Sequence, residues 1–144
     1  MAARRAQKER LVRYVRERVR RQSAREGSGP SELRRLETLL DPSALTIGFA
    51  RRFATYKRAV LLLQDPDRAK ALLLDPQRPV QLIFAGKAHP ADRAGQEYIR
   101  QLTVLSRGEL AGRIVFLEDY DIDMARMLVP VSYTHLTLPT NREV

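Results

Sequence analysis

The 144-residue chain has no cysteine and only two histidines. Without cysteine there is no disulfide framework and no thiolate metal site, which fits a reducing, cytosolic setting. No grouping of His, Asp and Glu has metal-ligand spacing, so no metal is expected. No Ser/His/Asp arrangement suggests a hydrolytic triad. No apolar run approaches the roughly 18 residues of a membrane span. The basic N-terminus is not followed by the apolar core of a signal peptide. The chain therefore reads as soluble, with no membrane partner. A G-x-G-x-x-G turn is also missing, which disfavours an ordinary dinucleotide site, and there is no internal repeat.

Positive charge is abundant but unevenly spread. The net charge is +9 and the isoelectric point about 10.6. Ten Lys and Arg fall in residues 1–26 against three Glu, so +7 of the total belongs to that segment. The basicity describes one N-terminal stretch and not a basic face on a domain, so nucleic acid is not the expected partner.

Residues 3–25 carry Leu11, Tyr14, Val15 and Val19 at helical spacing. Glu9–Arg13 and Glu17–Arg21 are favourable i,i+4 pairs. A narrow apolar stripe on an Arg-covered helix predicts a surface helix packed on a larger body. Gly27 to Pro30 breaks it, and a second helix is expected over 31–40, ended by Asp41-Pro42.

From Leu45 the pattern changes. A buried strand is expected over 45–49, a helix over 56–64, and another from Asp65-Pro66 to about Leu74 with Asp65 as its cap. A second strand is expected over 80–85, a long helix from Pro90 with Asp92 in its first turn, stopped at Arg107-Gly108, a third strand over 114–117 and a last helix over 122–129. Alternating strands and helices predict an α/β fold with a parallel, Rossmann-like sheet.

Ligands of such sheets sit at the carboxyl ends of the strands. Here those ends are a basic turn (Arg51, Arg52, Lys57, Arg58, with Phe53 and Tyr56 interleaved), a loop with Gly86, Lys87 and His89, and the acidic run Glu118-Asp119-Tyr120-Asp121. A strand running through a basic turn into a helix N-terminus suits an anion, because backbone N–H groups and the helix dipole favour negative charge there. His89, in the rim loop, is a candidate general acid or base or a brace for its own loop. His135 has no catalytic context.

The run Phe-Ala-Arg-Arg-Phe-Ala-Thr-Tyr-Lys-Arg at 49–58 is similar to a basic strand-end motif of the α-glucan phosphorylases, the family of glycogen, starch and maltodextrin phosphorylases. Ile-Phe-Ala-Gly-Lys-Ala-His-Pro at 83–90 looks like the family's Gly-Lys-Ala-x-Pro loop. Arg-Ile-Val-Phe-Leu-Glu-Asp-Tyr at 113–120 looks like its Arg-Val-x-Phe-Leu-Glu-Asn-Tyr strand. The resemblance covers about 44–130. The Ala-His-Pro variant and the Arg-rich leader look like the bacterial long-form branch.

This resemblance implies a two-domain glycosyltransferase (GT-B) fold, pyridoxal phosphate as cofactor, and release of glucose 1-phosphate from an α-1,4-glucan by inorganic phosphate. It implies that Arg52 and Lys57 bind substrate phosphate. Arg51 matches a position near the cofactor phosphate where better-known members carry Lys, a change that keeps the charge and alters the geometry. Tyr120 matches a Tyr beside the cofactor, and Asp121 stands where better-known members have a basic residue. The family's amino-terminal domain, a later Gly-rich segment and the Schiff-base lysine are not in this sequence. The expectation is therefore a fragment, inactive alone, whose partners include the missing domains of its full-length chain.

Three segments are expected: a basic helical leader (1–43), a partial Rossmann-like α/β domain (44–130) and a tail (131–144). The tail begins Val-Ser-Tyr-Thr-His-Leu, which resembles a translation of transposon-based sequencing adaptor DNA, and is expected to be non-native. Two other functions compete. One is a sugar-nucleotide-dependent glycosyltransferase of the same fold, against which the Tyr-Lys-Arg and Gly-Lys-Ala-His-Pro combination argues. The other is a polyanion-binding module built on residues 1–26, which would show salt-dependent binding.

Overall fold

Three strands, β1 (Leu45–Ala50), β2 (Val80–Ala85) and β3 (Ile114–Leu117), pair side by side in chain order, and both pairings are parallel. They belong to a computed structural model that describes residues 2–51, 61 and 64–131. The expected helix over 56–64 lies outside the described residues except for Leu61 and Gln64. The register is unbroken, with Leu45 opposite Val80, Ala50 opposite Ala85 and Ala85 opposite Leu117. Parallel strands covered on both faces read as continuous apolar runs. Val80–Ala85 and Ile114–Leu117 are buried at every position.

Helices cover the two faces. Between β1 and β2 runs α3 (Pro66–Leu73), and between β2 and β3 runs α4 (Arg93–Arg107). They share one core, in which Leu73 and Leu102 meet Val80, Leu82, Phe84, Ile114 and Phe116. On the opposite face lie α1 (Ala2–Arg25) and α5 (Ile122–Leu128). There Leu11, Val12 and Val15 of α1 and Met124 and Leu128 of α5 pack on Ile83, Ala85, Val115 and Leu117. Each such large apolar side chain contributes roughly 1.5–3 kcal/mol on full burial. That is how a helix so rich in arginine is held to the sheet. No helix of the described residues is long and apolar enough to cross a membrane.

Two helix boundaries differ from the sequence expectation. The helix placed over 31–40 is shorter: α2 (Pro30–Arg35) passes into a 3₁₀ turn (Leu36–Thr38). Leu40 then takes a left-handed conformation (φ 65°). Arg16 of α1 accounts for the stop, since its guanidinium donates to the carbonyls of Leu39 (2.7 Å) and Leu40 (2.8 Å). The helix placed from Pro90 begins at Arg93 instead. Asp92 is its N-cap, with the carboxylate accepting from the Gly95 N–H at 2.8 Å. Pro90 belongs to the turn before it. The expected cap at Asp65 is present and accepts from the Arg68 N–H at 3.1 Å.

The approach to β1 is fastened by a buried amide. Gln81 of β2 has no exposed surface. Its carboxamide accepts from the Asp41 N–H (2.8 Å) and donates to the Asp41 carbonyl (2.9 Å) and the Thr46 hydroxyl (2.8 Å). The strand expected to be buried over 45–49 is present as β1 but is not buried at any position, with Leu45 53% and Ile47 44% exposed, because less of the fold covers this outer strand.

Candidate functional site

The parallel register aligns the carboxyl ends of the three strands at Ala50, Ala85 and Leu117. Neighbouring strands lie about 4.8 Å apart, so the three segments that follow leave the sheet side by side. The Arg51 N–H donates to the Ala85 carbonyl at 3.1 Å, and the Gly86 N–H to the Leu117 carbonyl at 3.5 Å. Arg51, Gly86 and the turn after β3 are thus joined directly through the last rungs of the ladder.

The helices are divided between the two faces of the sheet. α3 and α4 step from β1 to β3 across one face, whereas α5, leaving β3, lies on the other face and returns to β1. Leu128 of α5 stands over Gly48, its Cδ2 3.9 Å from where a Cβ would be. In doubly wound sheets the ligand crevice opens where the winding reverses. The described strands run β1-β2-β3 with no reversal; α5 reaches back to β1, whose carboxyl end leads to Arg51. Arg52 and Lys57 continue from it but lie outside the described residues.

Lys87 and His89 follow β2 and are exposed, while Gly86 is buried. The His89 Nδ1 accepts from the Ala91 N–H at 3.1 Å, and the Gln96 amide donates to the Pro90 carbonyl at 2.8 Å. His89 therefore braces its own loop through one ring nitrogen. With Nδ1 an acceptor, the neutral ring carries its proton on Nε2.

After β3 the chain turns through Glu118 and Asp119, the latter left-handed at φ 52°. Tyr120 is half-buried against the α1/α5 core. Asp121 caps α5, its carboxylate accepting from the Met124 N–H at 2.8 Å. Its other oxygen faces Arg18 of α1 at 3.4 Å. Arg25 approaches Glu118 at 3.9 Å, and Arg107 pairs with Glu26. Burial, reinforced by the nearby Glu26 carboxylate, pushes the Glu118 carboxyl above its ordinary pKa. Burial likewise pushes up the phenol of Tyr14, beside Arg18 and Asp121. Arginines of α1 thus meet carbonyls and carboxylates of the same fold. The rim is cationic on the β1 and β2 side, and its acidic β3 side is matched by α1.

The residues that sequence reasoning missed are those of α1. Arg18 donates to the carbonyls of Glu118 and Asp119, both at 3.3 Å. The Gln22 carboxamide donates to the Phe116 carbonyl (3.2 Å) and accepts from the Glu118 N–H (3.0 Å). These contacts span about a hundred residues and leave no local signal. The capping role of Asp121 does have one: an Asp three residues before the first apolar core position of a helix. No group of three or more His, Cys, Asp or Glu among the described residues could hold a metal ion.

The chain is 50% identical over 119 residues to a glycogen phosphorylase from Mycobacterium tuberculosis (strain CDC 1551 / Oshkosh), an alignment covering 82% of this chain and 14% of the relative. It is 44% identical over 123 residues to a glycogen phosphorylase from Aquifex aeolicus, covering 85% of this chain and 18% of the relative. A maltodextrin phosphorylase from Thermococcus litoralis is 50% identical over 91 residues, covering 62% of this chain and 11% of the relative. The chain thus spans between a ninth and a fifth of the length of these relatives. No family profile and no solved structure matches it.

Proposed function

Because this chain matches a segment of the α-glucan phosphorylase family, we propose that it supplies the phosphate-binding rim of an enzyme that releases glucose 1-phosphate from glycogen or maltodextrin with inorganic phosphate. The observation that carries this is the coincidence at Arg51. The basic run similar to the family's motif begins at the carboxyl end of β1, beside the carboxyl ends of β2 and β3. The enzyme would be a cytoplasmic GT-B glycosyltransferase whose active cleft lies between two Rossmann-like domains. Residues 44–130 would belong to one of them, residues 1–43 would brace it, and residues 131–144 would be foreign.

In this reading Arg52 and Lys57 hold the substrate phosphate and Arg51 the phosphate of pyridoxal phosphate. A cluster of fixed cations in a water-poor cleft is what two neighbouring phosphates require. The residues suit such a group: Arg51 and Lys87 follow the carboxyl ends of adjacent parallel strands, and the nearby carboxylates are met by Arg18 and Arg25. When bound, the cofactor supplies a phosphate that exchanges a proton with inorganic phosphate. Tyr120 stands beside the cofactor. Lys87 and His89 line the rim, the imidazole presenting its Nε2 proton while Nδ1 holds the loop.

The test uses a full-length enzyme carrying this segment. Lys57→Ala removes a charge-assisted hydrogen bond worth roughly 1.5–3 kcal/mol, which is about a 10- to 150-fold loss in phosphate affinity. Arg52→Ala behaves alike, and Arg52→Lys does not fully rescue because a point charge replaces a fork. Glucan affinity changes far less, and Arg58→Ala is mild. Phosphate and maltodextrin are varied separately. If neither Lys57→Ala nor Arg52→Ala alters the phosphate dependence, the assignment fails.

A further inference from the structure

The turn after β3 is an unlikely conformation left to itself. It places three carboxylates in four residues and puts a non-glycine, Asp119, at φ 52°. Aspartate tolerates that conformation better than most residues, but the neighbouring like charges disfavour the turn. The turn is held from outside, by two residues one helical turn apart on α1. Arg18 donates through Nη2 to the carbonyls of Glu118 and Asp119 and through Nη1 to the Asp121 carboxylate. Gln22 engages the Phe116 carbonyl and the Glu118 N–H. These contacts bracket Tyr120, falling on residues 116, 118 and 119 before it and on 121 after it. The far end is fixed again, because the other Asp121 oxygen caps α5. Tyr120 itself packs on the α1/α5 core, and the backbone on either side sets the position from which its ring reaches that core.

We propose that Arg18 and Gln22 are positioning residues of the active site, fixing the turn that presents Tyr120 to the cofactor. The inference rests on the reading that Tyr120 stands beside pyridoxal phosphate. It assigns α1, more than ninety residues upstream of the turn, a task at the site without contact to substrate. The geometry asks for arginine in particular. A planar fork reaches two carbonyls and a carboxylate together, which a lysine ammonium does not.

The experiment uses a full-length, cofactor-loaded enzyme carrying this segment. Arg18→Ala, Arg18→Lys, Gln22→Ala and Tyr120→Ala are each made alone, and the first three also in the Tyr120→Ala background. The readouts are the fluorescence of bound pyridoxal phosphate, the phosphorus resonance of its phosphate, and kcat and KM for maltodextrin. Arg18→Ala is expected to shift both cofactor signals in the direction of Tyr120→Ala. It is also expected to lower kcat by about ten- to a hundredfold, since a misplacement of about an ångström can cost on the order of a hundredfold, with glucan KM within about twofold. Arg18→Lys recovers less than half of the loss. Gln22→Ala gives a smaller shift of the same sign and serves if Arg18→Ala does not fold. In the Tyr120→Ala background the α1 variants add nothing to the cofactor signals. Unchanged cofactor signals in both Arg18→Ala and Gln22→Ala, with Tyr120→Ala shifted, overturn the positioning role and leave the cofactor reading standing. Equal shifts with and without Tyr120 also overturn it. Unchanged signals in Tyr120→Ala overturn it through its premise, the placement of Tyr120 at the cofactor.

Discussion

Replacing Gln81 by leucine should cost more stability than any single surface change in this chain. The side chain is fully buried and makes three hydrogen bonds, to the N–H and carbonyl of Asp41 and to the Thr46 hydroxyl. At roughly 0.5–1.5 kcal/mol net for each bond, the loss is about 1.5–4.5 kcal/mol. Leucine keeps most of the volume, so little cavity term is added. It leaves the Asp41 backbone groups to find water at a partly buried position, which places the expected value near 2–4 kcal/mol. Against the roughly 5–15 kcal/mol of a typical domain, that is a large share. Urea unfolding followed by circular dichroism measures it as a fall in midpoint at constant m-value. Thr46→Val, which removes one of the three bonds, should cost about a third as much. Gln81→Glu separates geometry from volume. The introduced carboxylate still accepts from the Asp41 N–H but faces the Asp41 carbonyl as a second acceptor, so its folded-state pKa is raised. The stability deficit should grow as pH rises through the carboxylate range and shrink as pH falls. A Gln81→Leu midpoint indistinguishable from the parent's would refute the claim that this amide holds the approach to β1.

Other outcomes follow from features already described. Glu118 has a folded-state pKa raised by burial and by Glu26, so its ionisation opposes folding. Its penalty is absent below the unfolded-state pKa and sets in as pH rises toward the folded one. Glu118→Gln should therefore raise the melting temperature at neutral pH and lose that advantage on acidification through the carboxylate range, as thermal melts at several pH values would show. Ile47→Lys, on the open strand, should reduce self-association by light scattering without lowering helical content, because charge on an edge strand discourages pairing. Deleting 131–144 should leave circular dichroism and melting unchanged, and a marked loss of folded signal would mean that the tail is native.

The α/β class, the parallel sheet and all three strands were legible in the sequence because parallel strands are short apolar runs and the turns between them are rich in Pro, Gly and Asp; that β1 is not buried was not legible, since its apolar run looks like those of β2 and β3. The rim was legible for the same reason: knowing which end of each strand is its carboxyl end is enough to gather Arg51, Gly86, Lys87, His89 and Tyr120 on one side. Helix ends were less legible. The stop at Leu39 and Leu40 is imposed by Arg16 from another helix, and the start at Arg93 depends on Asp92 capping where Pro90 offered a competing first position. The part of α1 in holding the turn after β3 was invisible, since Arg18 and Gln22 look like any other polar residues of a basic helix until the fold brings them to residues a hundred positions away.

The two sides of the sheet are not equivalent, and Gln22 makes them so. Phe116 O and Glu118 N are the pair of groups that a residue of a parallel neighbour would engage on the outer side of β3, and the Gln22 carboxamide engages both. A side chain here counterfeits one peptide unit of a fourth strand. The sheet thereby acquires a direction of growth. Pairing at β3 would have to displace an amide already satisfied on both its polar atoms, whereas β1 presents apolar, half-exposed Leu45 and Ile47. During synthesis α1, which carries Gln22, emerges before β3, so the residue that makes the stop precedes the strand it closes. Of the two outer strands, β1 is the one left open, and its carboxyl end leads to Arg51.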